Sequence, residues 1–328
     1  MNQFTDVFYA CHPSWDFSQR FAATTIATGF LNGFRQLGIR AHITRYEDIL
    51  NDLETADRPL LILSYDEYNY LQDDVLATIR KLPHIIWVNV WFDGMAEMAR
   101  EGDSPDPTIP QDTIQKVLDS GAAFLFHNSP ESFFSFYENW LRAGQRLISV
   151  PLACDTEVYC PHPEDTRYND IEVAYVSGYY SFRERVYQQF LYPYESQLAT
   201  FGYREWPKAY RGYLPNEDEA ILYQNAKVMP SIHEPFMWKT GALFERPFKI
   251  MGSGGLTIID TRPAAKELFA DEVLAASTIE EFHELMHLAL TDEAFNQEWR
   301  RREAITVLTR HTYRHRAETI LQELEKGQ

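Results

Sequence analysis

Short apolar runs alternate along this chain with longer stretches in which apolar residues recur every three to four positions. The first pattern marks buried strands and the second marks helices packed by one face, so the chain reads as alternating β and α units with parallel sheets. In the first half, strands are predicted over residues 6–10, 41–45, 60–64, 85–91, 123–127 and 147–150, with helices over 18–37, 67–81, 111–119 and 130–142. Three prolines within 101–110 predict a surface loop. Residues 151–170 are rich in Pro, Asp, Glu and Thr, lack periodicity and read as a connection between domains. A second series follows, with strands over 171–177, 227–232 and 256–260, helices over 181–200, 217–226 and 243–251, and a final amphipathic helix over 312–325. Ser181 with Glu184, and Thr278 with Glu281, have the spacing of capping boxes.

A chain of 328 residues exceeds one ordinary core and suits two domains of roughly 150 residues each. The expected fold class is therefore α/β, with two Rossmann-like domains facing across a cleft, residues 1–154 and 155–310. Ligands of such sheets sit beyond the carboxyl ends of the strands. Formal net charge is -18. That acidity argues against general affinity for nucleic acid or anionic membrane, because phosphate contacts need clustered Lys and Arg. The basic clusters Arg300-Arg301-Arg302 and Arg310, Arg314, Arg316 read as solvated helix faces. The three cysteines, Cys11, Cys154 and Cys160, fit a reducing cytoplasmic location. Cys154, Cys160 and His162 fall short of the four ligands of a closed zinc site, so no metal is expected there. No apolar run approaches the ~20 residues that span a bilayer, so no membrane insertion is expected.

The candidate chemistry sits at strand-to-helix junctions of the second half. Gly178 allows a sharp turn before Tyr179, and Arg183 falls in the first helical turn, where a guanidinium can grip a phosphate by two hydrogen bonds. His233 and Glu234 follow the next strand, and Lys239 and Arg246 bring positive charge to the same rim. Residues 245–260 read as a short helix, a glycine stop and a buried strand. Free N–H groups and the dipole at that helix start suit an anion such as the diphosphate of a nucleotide sugar. A left-handed cap accounts for one of Gly252, Gly254 and Gly255, and glycines also let a ligand approach the backbone. The chain has no Asp-x-Asp sequence. Charge neutralisation is thus expected from arginine, lysine and helix ends rather than from a divalent ion. In the first half, a base that activates a hydroxyl is sought among His12, Asp16, Asp93 and His127, with Asp93 and His12 favoured.

Several phrases then occur in order. They are Pro151-Leu152-Ala153-Cys154-Asp155-Thr156-Glu157-Val158-Tyr159-Cys160-Pro161, Val176-Ser177-Gly178-Tyr179-Tyr180 with Arg183, and Leu222-Tyr223-Gln224-Asn225-Ala226-Lys227. Arg-x-Phe-x-Ile-Met-x-x-Gly-Gly follows at 246–255, and His311-Thr312-Tyr313 with Arg316 closes the series. Over most of residues 151–324 the chain resembles the spore-maturation CgeB-like glycosyltransferases. The resemblance implies the GT-B arrangement and metal-independent transfer of a hexosyl or pentosyl group from a nucleotide-diphosphate sugar, the donor substrate, to an unidentified acceptor hydroxyl. It implies no cofactor. It assigns the acceptor to 1–154, the donor to 155–310, and a helix over 311–328 that packs back toward the first domain. Arg183 would hold the diphosphate, and 246–255 would line the nucleotide pocket. The chain departs from the pattern at Lys249, where many relatives carry a Glu that holds the ribose. A lysine accepts no hydrogen bond, so ribose recognition would fall to Glu245 or Glu267 and Lys249 would meet a phosphate. The competing readings are a silent nucleotide-sugar-binding protein, a nucleotide-sugar epimerase on the same scaffold, and a DNA-modifying sugar transferase.

Overall fold

In the computed structural model, which describes residues 3–88, 111–141, 144–260 and 262–327, the chain divides into two units. The first comprises Met1–Pro151 and Tyr313–Gln328, the second Leu152–Thr312.

The first unit is built on six parallel strands: β1 (Asp6–Cys11), β2 (Arg40–Arg45), β3 (Pro59–Ser64), β4 (His84–Trp87), β5 (Leu125–His127) and β6 (Leu147–Ser149). Their spatial order is β2-β1-β3-β4-β5-β6. β1, β3 and β4 are buried along their whole length, as continuous apolar runs require in a sheet covered on both faces. The order reverses between β1 and β3, so the loops leaving those strands form the switch point of this sheet. The helix Tyr313–Lys326 belongs to this unit and meets the helix Ala22–Gln36 at two glycines. A Cβ at Gly29 would lie 2.2 Å from the Tyr313 ring, and one at Gly33 2.3 Å from the Tyr313 carbonyl oxygen. Glycine at this i, i+4 spacing lets the two helix backbones touch. Arg316 on the same helix is buried and donates to the Pro151 carbonyl at 2.7 Å. Burial brings its pKa down to about 10.

The second unit holds β7 (Val173–Val176), β8 (Leu198–Phe201), β9 (Met229–Ser231), β10 (Thr257–Ile259) and β11 (Leu274–Ala275). β7 pairs with β8, and β9, β10 and β11 pair in the order β11-β10-β9, all parallel. A bridge between Val173 and Val228 joins the two sets.

Several predicted elements differ from those observed. The helix expected over 67–81 is two helices, Tyr65–Tyr70 and Asp73–Ile79. Ser64 and Glu67 form a capping box that starts the first, and Asp73 and Asp74 occupy the first turn of the second, where acids suit the dipole. Residues 131–140 form a 3-10 helix, Glu131–Trp140, rather than an α-helix. The helix expected over 181–200 shrinks to Glu184–Phe190 after a 3-10 turn, Ser181–Arg183. Pro193 cannot sit inside an α-helix, and the residues beyond it supply β8. Ser181 makes no cap, because the Glu184 carboxylate takes the hydroxyls of Tyr179 and Tyr192 at 2.9 and 3.1 Å. The Thr278 cap does form, accepting the Glu281 N–H at 3.1 Å. Residues 152–154 are buried, and the Cys154 N–H bonds the His311 carbonyl at 2.9 Å, so this part of the expected linker packs into the second unit.

The arginine clusters are only partly solvated. Arg301 pairs with Glu298 on the surface, but Arg300 donates to the carbonyls of Gln224 and Ala226, closing the end of the helix Glu219–Asn225. Cys154 is buried and its thiol faces the Tyr159 carbonyl, while Cys160 Sγ lies 4.0 Å from His162 Nε2. Among the described residues no group of three His, Cys, Asp or Glu could hold a metal ion. Among the same residues no helix is long and apolar enough to cross a membrane.

Candidate functional site

The carboxyl ends of β7, β9 and β10 gather the polar residues of the second unit. After β7 the chain turns at Gly178 and passes through Ser181–Arg183, which sets Arg183 immediately before the helix Glu184–Phe190. Arg183 is only 7% exposed and forms an ion pair with Glu234, which is 2% exposed. Glu234 follows β9 as the N-cap of the short helix Pro235–Thr240. Its Oε2 is buried with no hydrogen-bond partner among the described residues. Arg246, at the start of the helix Arg246–Gly252, donates to the Tyr175 hydroxyl at 2.9 Å and lies 4.4 Å from the centre of that ring.

Phe244 organises these cations. The guanidinium carbons of Arg183 and Arg246 lie 5.7 and 5.6 Å from its ring centre, within cation–π range. The His233 imidazole stacks on it at 4.9 Å and 16°. His233 in turn is saturated. Its Nδ1 is 2.5 Å from Asp260 Oδ1, its backbone N–H donates to Asp260 Oδ2 at 2.8 Å, and its Nε2 accepts the Phe244 N–H at 3.1 Å. A backbone N–H only donates, so Nε2 carries the lone pair and the ring proton sits on Nδ1 against the carboxylate. Trp238 Nε1 donates to Asp260 Oδ2 at 3.0 Å. His233 therefore spends its hydrogen bonds inside the protein and positions Phe244, which corrects its expected place as a ligand contact.

Residues 183–322 match the family described as glycosyl transferase-like. That stretch is similar to glycosyl transferase-like domains. No curated protein matches the chain in sequence. Among solved structures, sucrose-phosphate synthase from Thermosynechococcus elongatus superposes with a TM-score of 0.69 at 10% identity, over 98% of this chain and 98% of that one. HepE from Anabaena, in complex with UDP and glucose, gives 0.62 at 10% identity over 98% and 100%. An α-glucosyltransferase in complex with UDP-glucose and DNA containing an abasic site gives 0.65 at 8% identity over 98% and 99%. These likenesses show the fold, the α/β fold with parallel sheets of the GT-B glycosyltransferases, and with the matched domain they bear out the expected enzyme class, a glycosyltransferase.

Within residues 183–322, two expectations are corrected by the direction of the chain. Gly254 and Gly255 lie at the far end of the helix Arg246–Gly252, about 10 Å from its start, and lead into the amino end of β10. They stand at the opposite edge of the sheet from Arg183 and Glu234. Gly254 has φ +83 and ends the helix in the left-handed region, and a Cβ at Gly255 would fall 2.0 Å from the Tyr223 carbonyl oxygen. Helix termination and close packing account for both. Lys249 is buried, pairs with Glu245 at 2.7 Å one turn back and lies 4.9 Å from the Tyr159 ring centre. The lysine expected on a phosphate and the glutamate considered for ribose are thus engaged with each other, while Glu267 is exposed on the helix Arg262–Phe269. Tyr179 is half-buried and holds Glu184. Gly178 makes room for Tyr203, whose ring would lie 2.8 Å from a Cβ there. Lys239 falls in the helix Pro235–Thr240, and its side chain lies outside what the structure describes.

In the first unit, Asp93 lies outside the described residues. His12 is exposed on the loop after β1, its Nδ1 accepting the Ser14 N–H at 3.1 Å and lying 2.6 Å from the Ser14 hydroxyl. Asp16 is exposed, and the Ser18 hydroxyl beside it holds its carboxyl below the usual range. His127 is buried, and its Nδ1 accepts the Ser129 N–H at 2.9 Å. Burial pushes its pKa down to about 3, so it stays neutral. Tyr175, Phe244 and Asp260 were missed in the sequence. Asp260 left a trace as the first charge after the run Leu256–Ile259, whereas Tyr175 and Phe244 carry no signal among neighbouring aromatics.

Proposed function

We propose that the protein is a metal-independent glycosyltransferase of the CgeB-like kind. It would move a sugar from a nucleotide-diphosphate donor to an acceptor hydroxyl. The observation that carries this reading is the placement of two guanidiniums, Arg183 and Arg246, around one ring at the strand carboxyl ends of the glycosyl transferase-like domain. As the bond between the anomeric carbon and the diphosphate oxygen breaks, negative charge grows on the leaving group. Fixed donors aimed at that charge stabilise the transition state more than the ground state. The acceptor oxygen forms the new bond to the anomeric carbon, and its proton passes to a general base, for which His12 and Asp93 are the candidates. The products are a glycoside and a nucleoside diphosphate. The net charge of -18 supports a small-molecule or glycan acceptor over nucleic acid.

The buried pair of Arg183 with Glu234 gives the donor step a cost. A diphosphate that takes Arg183 must compete with the Glu234 carboxylate, so part of the binding energy goes into rearranging that pair. The test is a thermal-shift series with UDP, GDP, dTDP, CDP and ADP sugars in EDTA, followed by assay of nucleotide release. One donor should raise Tm and release its nucleotide slowly in EDTA. No stabilisation by any donor would remove the reading, and stabilisation seen only with added divalent ion would remove its metal-independent part.

A further inference from the structure

The loop that carries His12, at the switch point of the first sheet, is held by residues from the ends of β2 and β3. Arg45, the last residue of β2, donates to the Pro13 carbonyl and, at 3.3 Å, to the Trp15 carbonyl. Tyr46 follows it, and its ring meets the His12 imidazole edge to face, with centres 5.6 Å apart and planes at 87°. Glu67 comes from the helix Tyr65–Tyr70 that follows β3. Its Oε2 accepts the Ser64 N–H at 3.2 Å, and the N–H of His12 faces the same carboxyl. The His12 side chain itself stays exposed.

Helix capping explains only part of Glu67. The glutamate of a capping box does its work equally well at the surface. Glu67 instead is 2% exposed, and its Oε1 is buried with no hydrogen-bond partner among the described residues. The Tyr46 hydroxyl is buried and unpartnered in the same way. Such groups are costly, and each calls for a reason beyond stability. Both belong to residues that adjoin His12. Burial, with Asp66 beside it, raises the Glu67 pKa well above the ordinary carboxylate value, so a neutral amide of the same shape is a close substitute.

We propose that Glu67, with Arg45 and Tyr46, positions the His12 imidazole for proton transfer. The three side chains fix the backbone and ring of an exposed histidine, so that an incoming hydroxyl meets it in one orientation. Glu67 acts through His12 and takes no proton itself. The inference rests on the transferase reading above, with His12 as its base, and deepens it.

The experiment measures kcat for nucleotide release from UDP, GDP, dTDP, CDP and ADP sugars, and Kd for the matching nucleoside diphosphate, in the full chain. The variants are Glu67→Gln, Glu67→Leu, and Glu67→Leu combined with His12→Ala. Leucine fills the space but accepts no hydrogen bond. Glu67→Leu should lower kcat about tenfold or more with Kd unchanged. Glu67→Gln keeps an acceptor oxygen and should recover most of that loss. In the His12→Ala background Glu67→Leu should cost nothing further, a result that general loosening of the fold would not give. If Glu67→Leu does not fold, Arg45→Lys, which lacks the planar fork that reaches both carbonyls, enters the same cycle with the same expected outcomes. Unchanged kcat in Glu67→Leu would overturn the proposal, as would a full additional loss in the His12→Ala background or a Glu67→Gln variant as damaged as Glu67→Leu. A parent that releases nucleotide while His12→Ala does no harm overturns the proposal and spares the transferase reading. A parent that releases nucleotide from no donor overturns both.

Discussion

The backbone N–H of Phe244 donates to Nε2 of His233 at 3.1 Å, and the Phe244 ring stacks on the same imidazole at 4.9 Å. One residue thus holds both the backbone and the side chain of the ring that carries Arg183 and Arg246. Because His233 Nδ1 is committed to Asp260, the imidazole orientation is set by a buried carboxylate rather than by solvent. On the proposed reading, His233 would govern donor binding without needing to touch the donor. His233→Ala should destabilise the fold by about 2–4 kcal/mol, through lost packing and an orphaned Phe244 N–H and Asp260 carboxylate. It should also weaken nucleotide binding in the fraction that remains folded. Urea denaturation followed by calorimetry measures both, and a variant with unchanged stability would show that this network is not what holds Phe244.

Arg183 and Glu234 make a separable prediction. Removing one partner of a buried ion pair leaves the other charge unpaired, at a cost of about 3–5 kcal/mol. Arg183→Ala should therefore lose both stability and donor binding, which confounds the two. The double change Arg183→Met with Glu234→Leu removes both charges and should recover most of the stability while donor binding stays lost. Recovery of binding along with stability would take Arg183 out of the diphosphate site. Glu234→Gln alone frees the guanidinium from a competing carboxylate and should raise affinity for pyrophosphate severalfold.

Glu303 links stability to pH. It is fully buried on the helix Glu293–Arg310, and its two oxygens accept the N–H groups of Leu274 and Thr257 at 3.0 and 3.1 Å, which ties the starts of β11 and β10. Burial outweighs those bonds and raises its pKa to about 8 from an ordinary 4.5. A raised acid pKa means that the folded state binds the extra proton between these two values. Folding stability from this group is fully present below about 4.5 and is lost as pH rises through about 8, with a slope of up to about 1.4 kcal/mol per pH unit. Chemical denaturation at pH 5, 6, 7 and 8 should show this fall, and Glu303→Gln should flatten it. A slope identical in the variant would assign the fall to other groups.

The legible parts of the fold were those written as long apolar runs. β1, β3 and β4 lie in stretches dominated by Val, Ile, Leu and aromatic residues, so burial alone announces them, whereas β2, Arg-Ala-His-Ile-Thr-Arg, shows only as an alternation. β8 was hidden because Leu-Ala-Thr-Phe is short and follows a stretch with helical periodicity; only Pro193 betrayed the break. Arg183, Glu234 and Arg246 were legible because charge at the end of a strand is costly without a reason. Their mutual arrangement was not, since the pairing of Arg183 with Glu234 and the shared Phe244 ring depend on contacts more than fifty residues apart. The three glycines at 252–255 misled for a related reason. Their spacing suits a phosphate loop, but a helix stop at Gly254, the Cys154 sulfur against Gly252 and the Tyr223 carbonyl against Gly255 demand glycine equally, and only the direction of the chain distinguishes the two.

The choice of base separates from donor binding in a kinetic experiment. His12 Nδ1 accepts the Ser14 N–H, so in the neutral ring the proton sits on Nε2 and a proton taken from an acceptor must arrive at Nδ1 in place of that bond. A group that only takes the acceptor proton acts in the transition state, and its loss lowers kcat while donor affinity is kept. If His12 is that base, His12→Ala should lower kcat by about 100-fold or more with nucleotide Kd unchanged, and Ser14→Ala should cost much less because it disturbs only the orientation of the ring. Asp93→Asn tests the rival in the same assay. Only one of the two substitutions should produce the large loss. Comparable small losses from both would show that neither is the base, and a loss from His12→Ala that appears in nucleotide Kd rather than in kcat would reassign His12 to binding.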